Sequence, residues 1–144
     1  MKPFPFRSDV LATRAVRILW LCYFITLTWL LVNRSPIELV RSQETFFAAA
    51  ELAMPWSHLA GFGVLAVLTF VARWPISRWL TVLLLVLYSL ATEYGQTFIP
   101  TRHPQLIDLA QNFAGIALGC GLAWAAGLAV SRWWPAPDGQ PDLV

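Results

Sequence analysis

Between two long apolar stretches of the C-terminal half lies a run of polar residues: Glu93, Gln96, Arg102, His103, Asp108 and Asn112. His58 stands on an earlier apolar stretch. A carboxyl group and an imidazole brought together in apolar surroundings can act as acid and base near neutral pH. The planar fork of Arg102 suits a phosphate or a carboxylate. Plainer readings stand beside these. Glu93 and Arg102, nine positions apart and joined through Pro100, can form a clamp that pins the third apolar stretch to its connection. Arg102 can equally pair with Asp108, and His58 can be a hydrogen-bonded packing residue.

His58, Glu93, His103 and Asp108 are ligand types that hold metals, but no short His-x-x-x-His spacing organises them, so no metal centre is expected. The chain has no defensible Ser–His–Asp set, no glycine-rich phosphate loop and no cofactor fingerprint, and no cofactor is expected. Cys22 and Cys120 fall inside apolar stretches and read as buried small hydrophobes.

The elements that carry these groups are set by composition. The chain has 144 residues, 58% of them hydrophobic and 12% charged, with eight Trp. Its mean hydropathy is +0.60. A net charge of +2 is too small to point to nucleic acid. Four stretches, near 15–32, 56–71, 76–98 and 106–130, reach or approach the roughly 20 apolar residues that cross a bilayer. The expected fold is all-α, an integral membrane four-helix bundle whose first partner is the lipid bilayer. It forms one domain over residues 1–134, followed by a disordered cytoplasmic tail over 135–144. A carboxylate at the centre of a membrane helix costs roughly 2.5–3.5 kcal/mol on insertion scales, so Glu93 marks a site. The apolar run after the basic N-terminus is too long for a signal peptide and reads as an uncleaved first helix.

Lys2, Arg7, Arg14, Arg17, Arg73, Arg78 and Arg132 fall on one side of a four-span arrangement, and Arg34, Arg41 and Arg102 on the other. The positive-inside rule then places both termini in the cytoplasm, in a bacterial inner membrane. Trp74, Trp79, Trp133 and Trp134 mark the inner interface, Trp29 and Trp56 the outer one, while Trp20 and Trp124 fit neither. In the first outer connection, Ser35-Pro36-Ile37-Glu38 is a capping box that predicts a short interfacial helix over 36–53.

Depth follows from the helical rise of 1.5 Å per residue. Arg78 to Glu93 and Arg73 back to His58 are each fifteen residues, roughly 22 Å. His58 and Glu93 therefore share a level near the outer surface. Glu93 and Gln96 share one face of the third helix, and Asp108 and Asn112 one face of the fourth. Gly115 and Gly119 continue that second stripe inward as a small-xxx-small packing pattern. The expected picture is an outward-facing polar cavity with His58 and Glu93 at its floor, Asn112 and Asp108 on its wall, and Arg102 and His103 on its lid.

Taken together, Glu93-x-x-Gln96-x-Phe98-x-Pro100-x-Arg102, Asp108-x-x-x-Asn112-x-x-Gly115-x-x-x-Gly119 and His58-x-x-x-Phe62 closely resemble the signature of the VanZ-like family, over roughly Trp56 to Gly121. Members commonly carry an Asp-Lys pair shortly before the histidine, where this chain has Met54-Pro55. The resemblance implies a membrane protein of the bacterial cell envelope, with a part in envelope or surface-glycan biology rather than a named reaction. Three functions stay open: binding or handling a lipid-linked envelope precursor, an enzyme on such an anionic lipid with Glu93 and His58 as acid and base, and a structural membrane subunit. For the first two, Gln96, Arg102, Asp108 and Asn112 are the binding residues.

Overall fold

The computed structural model describes residues 10–32, 56–99 and 105–133. Four helices run through them: α1 (Val10–Val32), α2 (Ser57–Val71), α3 (Arg78–Gln96) and α4 (Leu106–Trp133). All described secondary structure is helical. The helices coincide with the four apolar stretches of the sequence, although α1 begins earlier and takes in Arg14 and Arg17. The expected helix over 36–53, the connection with Arg102 and His103, and the tail over 135–144 lie outside the described residues.

Two of the helices, over Val10–Val32 and Leu106–Leu128, are long and apolar enough to cross a membrane. The other two fall short for separate reasons. The 15 residues of α2 rise only about 22 Å. The 19 residues of α3 are long enough, but Thr81, Ser89, Thr92, Glu93 and Gln96 line its buried face and lower its mean hydropathy. On the opposite face Leu80, Leu83, Leu84, Leu87 and Leu90 are exposed. Helix α3 is thus amphipathic in the inverted sense, polar toward the bundle and apolar outward.

The most extensive interface joins α2 to α4. It is built on glycine: a Cβ at Gly115 would overlap the Leu59 carbonyl, and one at Gly119 the Gly63 carbonyl. Removing the side chains lets the two backbones touch, as small-xxx-small packing requires. Helix α1 lies against α2 and α3 through Leu27 and Leu31, which join Phe62, Leu65, Ala66, Leu85 and Ile116 in the apolar core.

The α2–α3 turn is held from α1. Arg73 takes a left-handed conformation (φ 48°) just past the end of α2. A non-glycine residue there costs about 1–2 kcal/mol. Arg17 opposes that penalty by donating to the carbonyls of Ala72 (3.1 Å) and Arg73 (2.8 Å) at the negative end of α2. Ser77 then caps α3, accepting from the Leu80 N–H at 3.2 Å. Trp20, which fits neither interface in the sequence, is an internal strut: its indole donates to Thr69 (2.8 Å) and its ring stacks on Phe24 (5.1 Å). The cysteines depart from expectation. Cys22 is exposed on the outward face of α1 and Cys120 is half-buried; both are free thiols.

The glycine contact gives a paired prediction. Alanine favours a helix interior over glycine by about 1 kcal/mol, so Gly121→Ala, with open space at its Cβ, should hold or raise the melting temperature. Gly119→Ala should lower it, by about 1–3 kcal/mol of overpacking. Equal melting temperatures in detergent would contradict the α2–α4 contact.

Candidate functional site

The close approach of α2 and α4 sets three polar side chains against one another. His58, in the first turn of α2, is next in sequence to Leu59, whose carbonyl lies against Gly115. Asn112 is three residues before Gly115 on α4. The His58 Nδ1 is 3.0 Å from the Asn112 Oδ1, and the Asn112 Nδ2 donates to the Glu93 Oε1 at 3.1 Å. His58 Nδ1 and Glu93 Oε1 are themselves 3.6 Å apart. Asn112 is fully buried, and His58 and Glu93 are 7% and 8% exposed.

The bonds constrain one another. The Asn112 amide nitrogen donates to the Glu93 carboxyl, so its oxygen, which only accepts, faces His58. His58 must then donate through Nδ1, which leaves Nε2 unprotonated in the neutral ring. Nε2 has no hydrogen-bond partner among the described residues. Glu93 therefore acts through Asn112 to fix both the tautomer and the orientation of His58, as outer-lying partners do for functional histidines.

The structure brings together His58, Glu93 and Asn112 and puts Asn112, expected on a cavity wall, between the other two. The shared depth deduced for His58 and Glu93 agrees with their 3.6 Å separation. The three groups are buried against each other between α2, α3 and α4, and the expected lid with Arg102 and His103 lies outside the described residues. Gln96 turns elsewhere: it is 1% exposed and its amide donates to the Leu31 carbonyl of α1 at 3.1 Å. Asp108, in the first turn of α4, is partly exposed, and its carboxylate has no hydrogen-bond partner among the described residues. Arg102 and His103 lie outside them. No group of three or more His, Cys, Asp or Glu residues suited to a metal occurs among the described residues.

Sequence reasoning missed two things here. One is the joining role of Asn112, for which the only available signal was its position one turn from Gly115. The other is the second polar layer one level further in, where Tyr23 donates to the Gly61 carbonyl (2.9 Å) and Thr28 and Tyr88 share a hydrogen bond (2.7 Å).

The bridge makes a prediction about coupling. Asn112→Ala orphans groups on both sides and should destabilise the fold by about 1–3 kcal/mol for each buried partner left unmade. Glu93→Gln removes part of the same network, so the double variant should be less destabilised than the sum of the singles. Additive losses in a thermal-denaturation cycle would show that the two side chains do not interact.

No curated protein and no solved structure matches the chain. A family model described as VanZ/LLP1 does, over residues 18–128, a range that takes in all four helices in whole or in large part and the His58–Asn112–Glu93 cluster. The chain belongs to the VanZ/LLP1 family.

Proposed function

We propose that this chain is a multi-pass protein of the bacterial inner membrane, with both termini cytoplasmic, that holds a lipid-linked anionic component of the envelope or surface glycan at the outer end of its bundle. The observation that carries this reading is the Asn112 bridge. Two ionisable side chains and an amide are gathered in the interior of a bundle whose outward faces are apolar. Apolar packing would stabilise helices as well as a buried charged network does, or better. Ionisable groups kept at membrane depth are accordingly read as functional.

Four spans are favoured by the inverted character of α3, whose exposed leucines suit lipid and whose polar face suits a bundle interior. The short α2 is accommodated by local thinning of the bilayer or by its polar ends. The outer end is assigned from the seven basic residues on the opposite side. Arg102, in the stretch of sequence between α3 and α4, is the group to receive the anion, with Asp108 of the first turn of α4 as a further polar group of the site and Asn112 acting from the interior. Gln96 serves this site indirectly, by tying α3 to the end of α1.

A second reading rests on His58. Its Nδ1 is engaged by Asn112 while Nε2 has no bond among the described residues, which is how a general base is held. On that reading the same lipid-linked anion is a substrate, with His58 and Glu93 as acid and base.

Native mass spectrometry of the protein released from its membrane in mild detergent separates these readings. Wild type should carry an envelope lipid, Arg102→Ala should carry less of it, and Glu93→Gln should lose it. A Glu93→Gln protein that retains more lipid than wild type, or an unprocessed form of it, favours the acid–base reading. A wild type with no specific lipid would overturn both and leave a structural subunit.

A further inference from the structure

The hydrogen bonds that join His58, Asn112 and Glu93 leave one ring nitrogen uncommitted, and its chemistry limits what this end of the bundle can hold. Asn112 donates to Glu93 through Nδ2, so it accepts from His58 through Oδ1 at 3.0 Å, and the His58 proton is on Nδ1. The neutral ring then presents a bare lone pair at Nε2. His58 lies in the first turn of α2, beside the exposed Trp56 and Ser57, and keeps 8% of its side-chain surface exposed. Nε2 thus differs from the Ser89 hydroxyl of α3, which is sealed from solvent and also has no partner among the described residues.

An anion cannot settle against His58 in that state. The lone pair repels it, and so does a carboxylate 3.6 Å from the ring. One proton on Nε2 reverses this. The ring becomes an imidazolium with two donors: Nδ1–H continues to serve Asn112, and Nε2–H is available to an anion oxygen. The positive charge is balanced by Glu93, across 3.6 Å directly and through the Asn112 amide. The titratable groups around the ring are few. Glu93 faces it from α3. On α4, Asp108 stands one turn outward from Asn112 and is partly exposed. Helix α1 brings Leu27 and Leu31 to this part of the core, and its Tyr23 hydroxyl is spent on the Gly61 carbonyl. Arg102 and His103 lie outside the described residues.

We infer, resting on the anion-holding reading of this site, that His58 is itself a binding residue and that the anion enters together with one proton, taken from solvent by Nε2 and balanced by Glu93. A neutral ring, one proton and a free anion become an imidazolium hydrogen-bonded to the bound anion, and the only bond formed is N–H. The bound state holds one proton more than the free state. Affinity therefore falls as pH rises wherever the free ring is neutral, by about tenfold per pH unit. Asn112 is a positioning residue in this scheme: it fixes which nitrogen meets the ligand.

The test uses the full chain in maltoside detergent with decyl phosphate as the probe, at about pH 8.5, where a phosphate monoester is already a dianion and brings no proton of its own. Nitrogen-15 NMR of labelled histidine reads the ring directly. The chain has two histidines, His58 and His103, and His58→Gln assigns their signals. The free protein should show His58 neutral with its proton on Nδ1, and the probe should convert it to the imidazolium. Calorimetry in two buffers of different ionisation enthalpy should count about one proton taken up per decyl phosphate bound. Glu93→Gln keeps an acceptor for Asn112 but removes the balancing charge, so the Nδ1–H tautomer should persist while affinity falls about tenfold or more. The wild-type measurements stand on their own if that variant is unstable. A free ring protonated on Nε2, or binding with no proton taken up, would overturn the inference and leave the anion-holding reading in place. Failure of decyl phosphate to bind anywhere from about pH 6 to 9, the range in which histidine changes charge, would instead defeat that reading and the inference with it.

Discussion

The contact between the backbones of α2 and α4 governs the rest of the molecule. With no side chain at Gly115 or Gly119, the Leu59 and Gly63 carbonyls of α2 lie directly against α4. At that separation His58 and Asn112 reach each other with short side chains and no intervening water. A methyl group at either glycine would push the helices apart and open the 3.0 Å His58–Asn112 contact. The packing face and the polar face are one face, so the geometry of the cluster and the stability of the bundle cannot be varied separately.

From this contact the remaining interactions follow in layers. Asn112 carries the link on to Glu93 and so fastens α3 to the α2–α4 pair. Gln96, one turn beyond Glu93, carries it to the end of α1. At the opposite end Arg17 holds α1 to the turn after α2, where Arg73 adopts its left-handed conformation. Helix α1 is therefore fixed by polar bonds along its length, from Arg17 through Trp20, Tyr23 and Thr28 to the Leu31 carbonyl, with Phe24, Leu27 and Leu31 packed among them. Wherever a helix is surrounded by a medium as apolar as its own side chains, burying leucine gains it little, and directional bonds and close backbone contact do more of the work of association.

The chemistry of the cluster depends on its closure. A histidine in water samples both tautomers and many orientations. Here one ring nitrogen is committed to an amide that is itself committed to a carboxylate. Such an arrangement is compatible with holding a ligand and with moving a proton, and in both cases the Asn112 amide is the part that translates the position of Glu93 into the state of His58.

Much of this was legible in the chain. Apolar runs of suitable length located all four helices, because hydropathy and helical rise are local properties. The equal spacing from Arg78 to Glu93 and from Arg73 to His58 put those two groups at one level, because a helix converts count into depth. The resemblance to the VanZ-like pattern rested on fixed spacings, and membership of the VanZ/LLP1 family over residues 18–128 agrees with it. Other features are properties of pairs of helices and their rotation, which no single segment encodes. Asn112 reads as one more polar residue on α4 until α2 is docked against it. Arg17 reads as a topology signal until the turn after α2 is seen to end within its reach. Trp20 and Cys22, two positions apart on α1, read alike as apolar, yet packing buries much of one as a strut and leaves the other exposed, because only the tertiary structure decides which side of a uniformly apolar helix has a neighbour.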